Sequence, residues 1–145
     1  MPDAGALTAK DFETLAAFRG ALRRFLSFSE AASARVGLTP RQYEALLSLK
    51  GHGGSQPLTV GGLAERLCVR HHSAVELVNR LARIGLAVRV GEAGDRRRIH
   101  IVLTRRGERA LARLAASHRA ELRQAGPRLL DVLGSLAAKR GAGRT

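Results

Sequence analysis

The residues best suited to chemistry in this sequence are polar and basic side chains that recur along one stretch in the middle of the chain. In sequence order they are Arg70, His71, His72, Ser73, Glu76, Asn79, Arg80 and Arg83, followed by Arg96 and Arg97. Arginine and asparagine can each form two hydrogen bonds with a base edge, and serine and histidine can bond phosphates or bases. These residue types favour nucleic-acid binding. Catalysis is disfavoured, because no nucleophile–base–acid set, phosphate-binding glycine loop or metal-ligand spacing occurs.

Two members of this set have a second interpretation that must be weighed. His71 and His72 resemble a metal-binding pair, but adjacent helical residues point about 100° apart and rarely bind one ion together. We therefore expect no metal site and no cofactor. Arg80 and Arg83 are also compatible with a solvated helix face, and DNA contact is favoured for Arg80 more than for Arg83.

The charge of the chain supports a polyanionic partner through its distribution more than through its total. The net charge is +13, but nearly all basic residues are arginine, a bias that a GC-rich genome also produces. Residues 1–60 carry seven basic and five acidic residues, whereas residues 61–110 carry eleven and five, a net charge of +6. Residues 111–145 carry seven and two, a net charge of +5. The excess therefore lies in the middle, where the polar side chains recur, and at the C-terminus.

Other features of the composition limit the class of protein further. Aromatic residues make up only 3% of the chain, which disfavours single-strand binding by base stacking. The single cysteine, Cys68, excludes an internal disulfide and fits a reducing compartment. No leader-like segment or membrane-spanning apolar run is visible, so we expect a cytoplasmic protein with no membrane partner.

The first half of the chain is predicted to contain three helices. The apolar spacing over Asp11–Val36 predicts a long helix that Gly37 ends. A second helix is predicted to begin at Thr39-Pro40 and to end at a glycine-rich loop over 51–55. Thr59 caps a short third helix.

The second half is predicted to contain a fourth helix, a hairpin and a long last helix. After a turn at Cys68-Val69 the fourth helix runs to about Ile84, and Gly85 ends it. Leu86–Val90 and Arg98–Leu103 alternate as two strands of a hairpin. Thr104 caps the last helix, which Gly126-Pro127 should break or kink.

The order of helix, tight turn, helix and hairpin predicts a winged helix-turn-helix, in a fold that is mainly α with a small antiparallel β-hairpin. In such a fold the second helix presents its polar residues to the major groove. The hairpin tip carries Arg96 and Arg97 towards the adjacent minor groove, whose negative potential attracts guanidinium groups. The sequence does not decide which of the two enters the groove.

The string LAERLCVRHHSAVELVNRL, followed by GLAVRV and DRRRIHIVLTRRG, resembles the MarR family of bacterial regulators. The family's wing signature is an Asp, any residue, an Arg, and alternating apolar residues that end in Leu-Thr. In this sequence the signature positions are Asp95, Arg97, Ile99, Ile101, Leu103 and Thr104. The resemblance implies that Asp95 pairs with an arginine and stabilises the wing.

The resemblance also implies an organisation for the whole chain: a single MarR-like domain over 1–145, with a winged lobe at 39–104 and dimerisation helices at 11–36 and 109–138. It implies a homodimeric repressor of a palindromic DNA operator, relieved by a small ligand in a crevice between the dimer helices and the lobe. Phe25 or Tyr43 could line that crevice, although both fit a plain core better.

The chain departs from the family pattern at the turn and at the start of the fourth helix. Cys68 stands where relatives often have glycine, and a non-glycine residue is mildly strained there if its φ is positive. We expect Cys68 to be buried in the turn. Arg70-His71-His72 stands where Ser-Pro-Ser-like cap residues are frequent, which changes the expected cap.

Three alternatives to a regulator remain open. A non-specific architectural nucleic-acid binder would use the same charge without an operator, and would bind scrambled DNA equally well. A winged helix for protein–protein contact has little need of an arginine-rich hairpin. Enzymatic activity is the least supported class, for the reasons given above.

Overall fold

The computed structural model describes residues 5–92 and 95–138, and their side chains over 5–91 and 98–138. The fold is mainly α with one antiparallel hairpin, as predicted. Its elements are α1 (Ala9–Arg35), α2 (Pro40–Gly51), α3 (Val60–Leu67), α4 (His71–Arg83), β1 (Ala87–Glu92), β2 (Asp95–Leu103) and α5 (Arg105–Ala137). Within the described ranges no helix combines the length and apolarity that a bilayer crossing needs.

All three predicted threonine caps, at Thr39, Thr59 and Thr104, are confirmed. Thr39 precedes α2, and its hydroxyl accepts a bond of 3.1 Å from the Gln42 amide, while the Gln42 side chain accepts one of 3.0 Å from the Thr39 amide. Thr59 precedes α3 and accepts a bond of 3.1 Å from the Gly62 amide. These bonds satisfy amides at the helix start that have no partner within the helix.

The hairpin is fixed at its base by the loop that precedes α3. The strands pair from Ala87 with Leu103 as far as Gly91 with Ile99. The Ile101 amide donates to the carbonyl of Leu58 at 2.8 Å, and His100 Nδ1 donates to the carbonyl of Pro57 at 2.7 Å. The hairpin therefore leaves the core in a defined direction.

Residues 30–117 form one compact unit around an aliphatic core. The largest fully buried aliphatic side chains come from α2, α3, α4, β2 and α5: Leu46, Leu63, Val78, Leu81, Ile101 and Leu114. Burying such a side chain contributes about 1.5–3 kcal/mol. This core holds α4 and the hairpin in place.

The start of α5 is fastened to the turn between α4 and β1. The Thr104 hydroxyl donates to the Gly85 carbonyl at 2.6 Å and accepts from the Gly107 amide at 3.0 Å. A Cβ at position 107 would overlap the Leu86 carbonyl, since even the carbonyl carbon would lie 2.9 Å away. Only glycine fits this approach. We call Gly85, Leu86, Thr104 and Gly107 the α5 clamp.

The second compact unit consists of the described residues on the terminal side of Ser29 and of His118. His118 Nε2 is hydrogen-bonded to the Ser29 hydroxyl at 2.9 Å, and both residues are buried. The His118 ring packs edge-on against Phe25 and Phe28, with centroid distances of 6.0 and 5.4 Å. The buried imidazole thus has both a polar and an apolar environment.

A break or a kink was predicted at Gly126-Pro127. The break is wrong, because α5 continues through both residues to Ala137, and the kink stays a prediction. A proline disfavours the helical conformation of the residue before it, because its ring clashes with that residue's Cβ and amide. Gly126 has no Cβ, so part of this clash is absent. Proline also leaves the carbonyl four residues earlier unbonded, but Pro127 and Arg123 are exposed, so water can satisfy that group.

Candidate nucleic-acid interface

Helix α4 separates its apolar and polar side chains on opposite faces. Ala74, Leu77, Val78 and Leu81 are buried in the core. The other face carries the candidate residues predicted from the sequence: Arg70, His71, His72, Glu76, Arg80 and Arg83 are exposed, and Ser73 and Asn79 are half-buried. These eight residues are the exposed and half-buried candidates on α4 and the residue before it, and we call them the α4 face.

The beginning of α4 has no side-chain cap. Arg70 occupies the cap position with extended backbone angles, and its side chain makes no capping bond. The first amides of the helix therefore lack the partner that a Ser, Thr or Asp would provide. Amides at a helix start are suited to phosphate oxygens.

Cys68 lies in the turn before α4, and its predicted burial is wrong. Its side chain is exposed, and its backbone is left-handed, with φ 53° and ψ 44°. The following Val69 is half-buried, so the turn directs the valine and not the cysteine towards the core. The positive φ explains why glycine is common at this position in the family that the sequence resembles.

The positive charge of this surface is mostly not neutralised by neighbouring carboxylates. The ion pairs among the described side chains are Lys10 with Glu13, Arg41 with Glu44, and Lys50 with Glu108. None of them involves an arginine of the α4 face. Glu76 is the one acidic residue of that face, and three arginines outnumber it. The surface is therefore suited to a polyanion.

The hairpin residues predicted to reach the minor groove begin β2, but their side chains lie outside the described part of the structure. This applies to Arg96, Arg97 and the wing-stabilising Asp95. The backbone of all three is strand, and Glu92 pairs with Asp95 across the hairpin. Arg98, the next residue, is exposed.

One contact between α4 and the hairpin was missed by the sequence analysis. Arg89 of β1 donates from Nη2 to Asn79 Oδ1 at 2.6 Å. A signal for it was present in the strand Leu86–Val90, because alternation puts Arg89 on the same face as the buried Ala87. An arginine on the inward face of a strand indicates a polar partner on the element packed there.

A small crevice flanks the α4 face on the side of α2. It has a volume of about 260 Å³, and its polar lining comes from Thr39, Arg41, Gln42, Ser73, Glu76 and Arg80. Arg41 therefore lies beside the α4 face although it belongs to α2. Its pairing with Glu44 is loose, at 3.9 Å.

A larger crevice lies at the α5 clamp, beyond the C-terminal end of α4. Its volume is about 470 Å³, and Arg35, Arg106, Arg109 and Arg113 line it together with Val36, Leu38, Ile84 and Leu86. We call it the arginine crevice. The two residues suggested for a ligand crevice are absent from its lining: Phe25 packs on His118, and Tyr43 is buried, which raises the pKa of its phenol.

The sequence matches known proteins over the part of the chain that forms these features. Residues 36–98 match the model of the MarR family. A putative transcriptional regulatory protein for the hcr operon of Thauera aromatica is 34% identical over 96 residues, which are 66% of this chain and 56% of that protein. The match thus spans little more than half the length of that relative.

Solved structures share the fold over most of the chain. A MarR family protein from Bacillus stearothermophilus superposes with a TM-score of 0.68 at 25% identity, covering 81% of this chain and 80% of that one. A MepR mutant from S. aureus, bound to an oligodeoxyribonucleotide, superposes with a TM-score of 0.65 at 23% identity, covering 82% of this chain and 94% of that one. At that identity the second likeness concerns the fold alone.

Proposed function

Because this chain belongs to the MarR family, we propose that it is a DNA-binding transcriptional regulator that acts in the cytoplasm. The observation that carries the proposal is the α4 face, on which Arg70, Arg80 and Arg83 are exposed without a carboxylate partner among the described side chains. The MepR mutant of the same fold is bound to an oligodeoxyribonucleotide, which agrees with this use of the fold.

In the proposed complex α4 lies in the major groove and the hairpin reaches the adjacent minor groove. The contacts that we assign are Arg70, His71, His72, Ser73, Glu76, Arg80, Arg83, Arg96 and Arg97, with Asp95 stabilising the wing. Asn79 belongs to the same binding surface and acts there through a neighbouring side chain. The uncapped amides at the start of α4 bind a phosphate. Arg80 is suited to reading a base, because guanidinium forms two hydrogen bonds with guanine.

We propose further that the protein acts as a homodimeric repressor of a palindromic operator. The described residues outside 30–117 expose large apolar side chains, including Phe12 at 59% and Leu130 at 71%. Covering such side chains with a second copy would stabilise a dimer by about 25 cal/mol for each Å² removed from water. Two-fold symmetry then places two α4 helices about 34 Å apart, one turn of DNA.

The experiment that tests regulation against architectural binding is selection of genomic fragments with the purified protein. A regulator recovers a defined palindromic site, and binds it at least about 10³-fold more tightly than a scrambled duplex at the same salt concentration. Equal affinity for both duplexes would instead establish the architectural alternative. A recovered site that overlaps promoters would support repression.

Relief by a small ligand is the last part of the proposal, and the arginine crevice supports it. Four arginines and an apolar wall suit an organic anion, since guanidinium binds carboxylate and the wall covers an apolar body. Benzoate should release the protein from the selected DNA site, whereas the neutral benzamide should not. Arg109→Ala should weaken the response to benzoate. If the variant responds to benzoate as the wild type does, the arginine crevice is not the ligand site.

A further inference from the structure

The hydrogen bond between Arg89 and Asn79 indicates a role in DNA binding for each of the two residues that the proposed function does not include. We propose that Arg89 contacts the DNA backbone between the two grooves, and that Asn79 is the residue that positions it. The inference rests on the proposed function, because it needs α4 and the hairpin to bind the same duplex. It is carried by the position, the charge and the bonding of the two side chains.

The position of Arg89 is set by the strand that carries it. Along β1 the residues on one face are Ala87, Arg89 and Gly91. Ala87 is buried, and Arg89 lies opposite Ile101, which is also buried. Arg89 itself is exposed, so its backbone is anchored at the edge of the core while its guanidinium reaches solvent.

That position lies between the two elements proposed to enter the grooves. The guanidinium bonds to Asn79 of α4, and the strand continues from Arg89 towards the hairpin tip. A sugar–phosphate backbone separates a major groove from the adjacent minor groove. When α4 occupies one groove and the hairpin tip the other, this backbone must pass the side chains between them.

The charge of Arg89 is available to a phosphate because its partner is neutral. Asn79 accepts through an amide oxygen, and an amide carries no charge to offset that of the guanidinium. Among side chains described over 5–91 and 98–138, no carboxylate forms an ion pair with Arg89. A guanidinium has five N–H donors, so the bond to Asn79 leaves enough for a two-point phosphate contact.

The same bond makes Asn79 a poor reader of adenine. Reading adenine requires the asparagine oxygen to accept from N6 and the asparagine nitrogen to donate to N7. In this structure the oxygen accepts from Arg89 at 2.6 Å. Asn79 is also half-buried, whereas His72 and Glu76 of the same face are exposed. Its role is therefore to orient Arg89.

The test measures the salt dependence of binding to a labelled duplex of about 30 base pairs, in a mixed sequence and in the selected site. Arg89→Ala should weaken both complexes about tenfold near 0.15 M salt, and should reduce the slope of log affinity against log salt by about 0.9 for each subunit bound. Arg89→Lys should keep the slope, since it keeps the charge. The control Arg105→Ala removes an exposed arginine at the start of α5, outside the segment 109–138 proposed for the dimer, and should change neither quantity.

The positioning role of Asn79 is tested by a double-mutant cycle. Asn79→Ala should weaken binding about threefold in the wild-type background and should have no effect in the Arg89→Ala background. Direct base reading predicts the opposite, namely an equal loss in both backgrounds with a changed sequence preference. That result, or a slope unchanged by Arg89→Ala, would overturn the inference. A protein that binds both duplexes equally would refute the regulator while the mixed duplex still tests Arg89.

Discussion

Cys68 is a single residue whose backbone conformation costs stability. Its φ of 53° lies in the left-handed region, where a side chain with a Cβ is disfavoured by about 1–2 kcal/mol. Among described residues other than glycine it is the only one with a positive φ. The side chain gains little in return, because it is exposed.

Cys68→Gly should therefore stabilise the protein by about 0.5–1 kcal/mol, the relief of strain less the greater entropy of an unfolded glycine. Thermal unfolding should shift upward by about 2–4 °C. Cys68→Ser is the matched control, since it keeps the Cβ and should leave the midpoint nearly unchanged. A glycine variant that melts below wild type would contradict this account of the turn.

Arg89 and Asn79 show which part of the site was not predictable at the residue scale. The α4 face was predicted because its polar residues follow the period of one helix. The bond between Asn79 and Arg89 joins residues of two different elements. No local sequence pattern predicts such a bond. The one signal in the sequence was an arginine on the face of β1 that also carries the buried Ala87.

At the scale of elements, the boundaries that proved predictable are those set by local bonds. Thr39 and Thr59 each cap a helix through residues three positions away, so a short stretch of sequence contains the whole interaction. The break of α5 at Gly126-Pro127 was mispredicted because the missing amide of the proline was expected to end the helix, whereas the exposed helix surface lets water satisfy the free carbonyl. The direction of the exposed Cys68 side chain depends on how α3 and α4 pack against each other, and this packing cannot be predicted from the neighbouring residues alone.

The α5 clamp gives a prediction at this scale. Gly107→Ala places a Cβ against the Leu86 backbone, which cannot move without disturbing the turn between α4 and β1. We expect a loss of about 2–4 kcal/mol and a fall of about 10 °C in the unfolding midpoint. Gly51→Ala, at the end of α2 with open space around it, should instead be neutral or stabilise by about 0.5 kcal/mol. If the two substitutions changed the unfolding midpoint equally, the close approach at the α5 clamp would not explain the loss of stability.

For the whole molecule, the question is what covers the apolar side chains that the described chain leaves in water. Leu122, Leu130, Leu133 and Leu136 of α5 are all more than 40% exposed. A terminal helix with so many exposed leucines is unusual for a protein that acts as a monomer. The proposed homodimer accounts for them.

Leu133→Glu should shift the protein from dimer to monomer, because the interface would have to bury an unpaired carboxylate. Size-exclusion chromatography with light scattering measures the change, and circular dichroism should still report a folded lobe. Gln56→Glu adds the same charge to an exposed loop and should leave the dimer intact. A wild-type protein that is monomeric at micromolar concentration would refute the dimer directly.

The α5 clamp also determines where the pivot of any tilt of α4 would lie. The clamp holds the C-terminal end of α4, and the first residues of this 13-residue helix lie about 20 Å from it. A tilt of only about 5° at the pivot would displace that far end by about 2 Å, enough to separate donors from acceptors. Leu86 belongs both to the clamp and to the wall of the arginine crevice. Under the proposed relief by a ligand, binding in the crevice would shift the C-terminal end of α4 slightly and would displace His71, His72 and Ser73 at its other end much more.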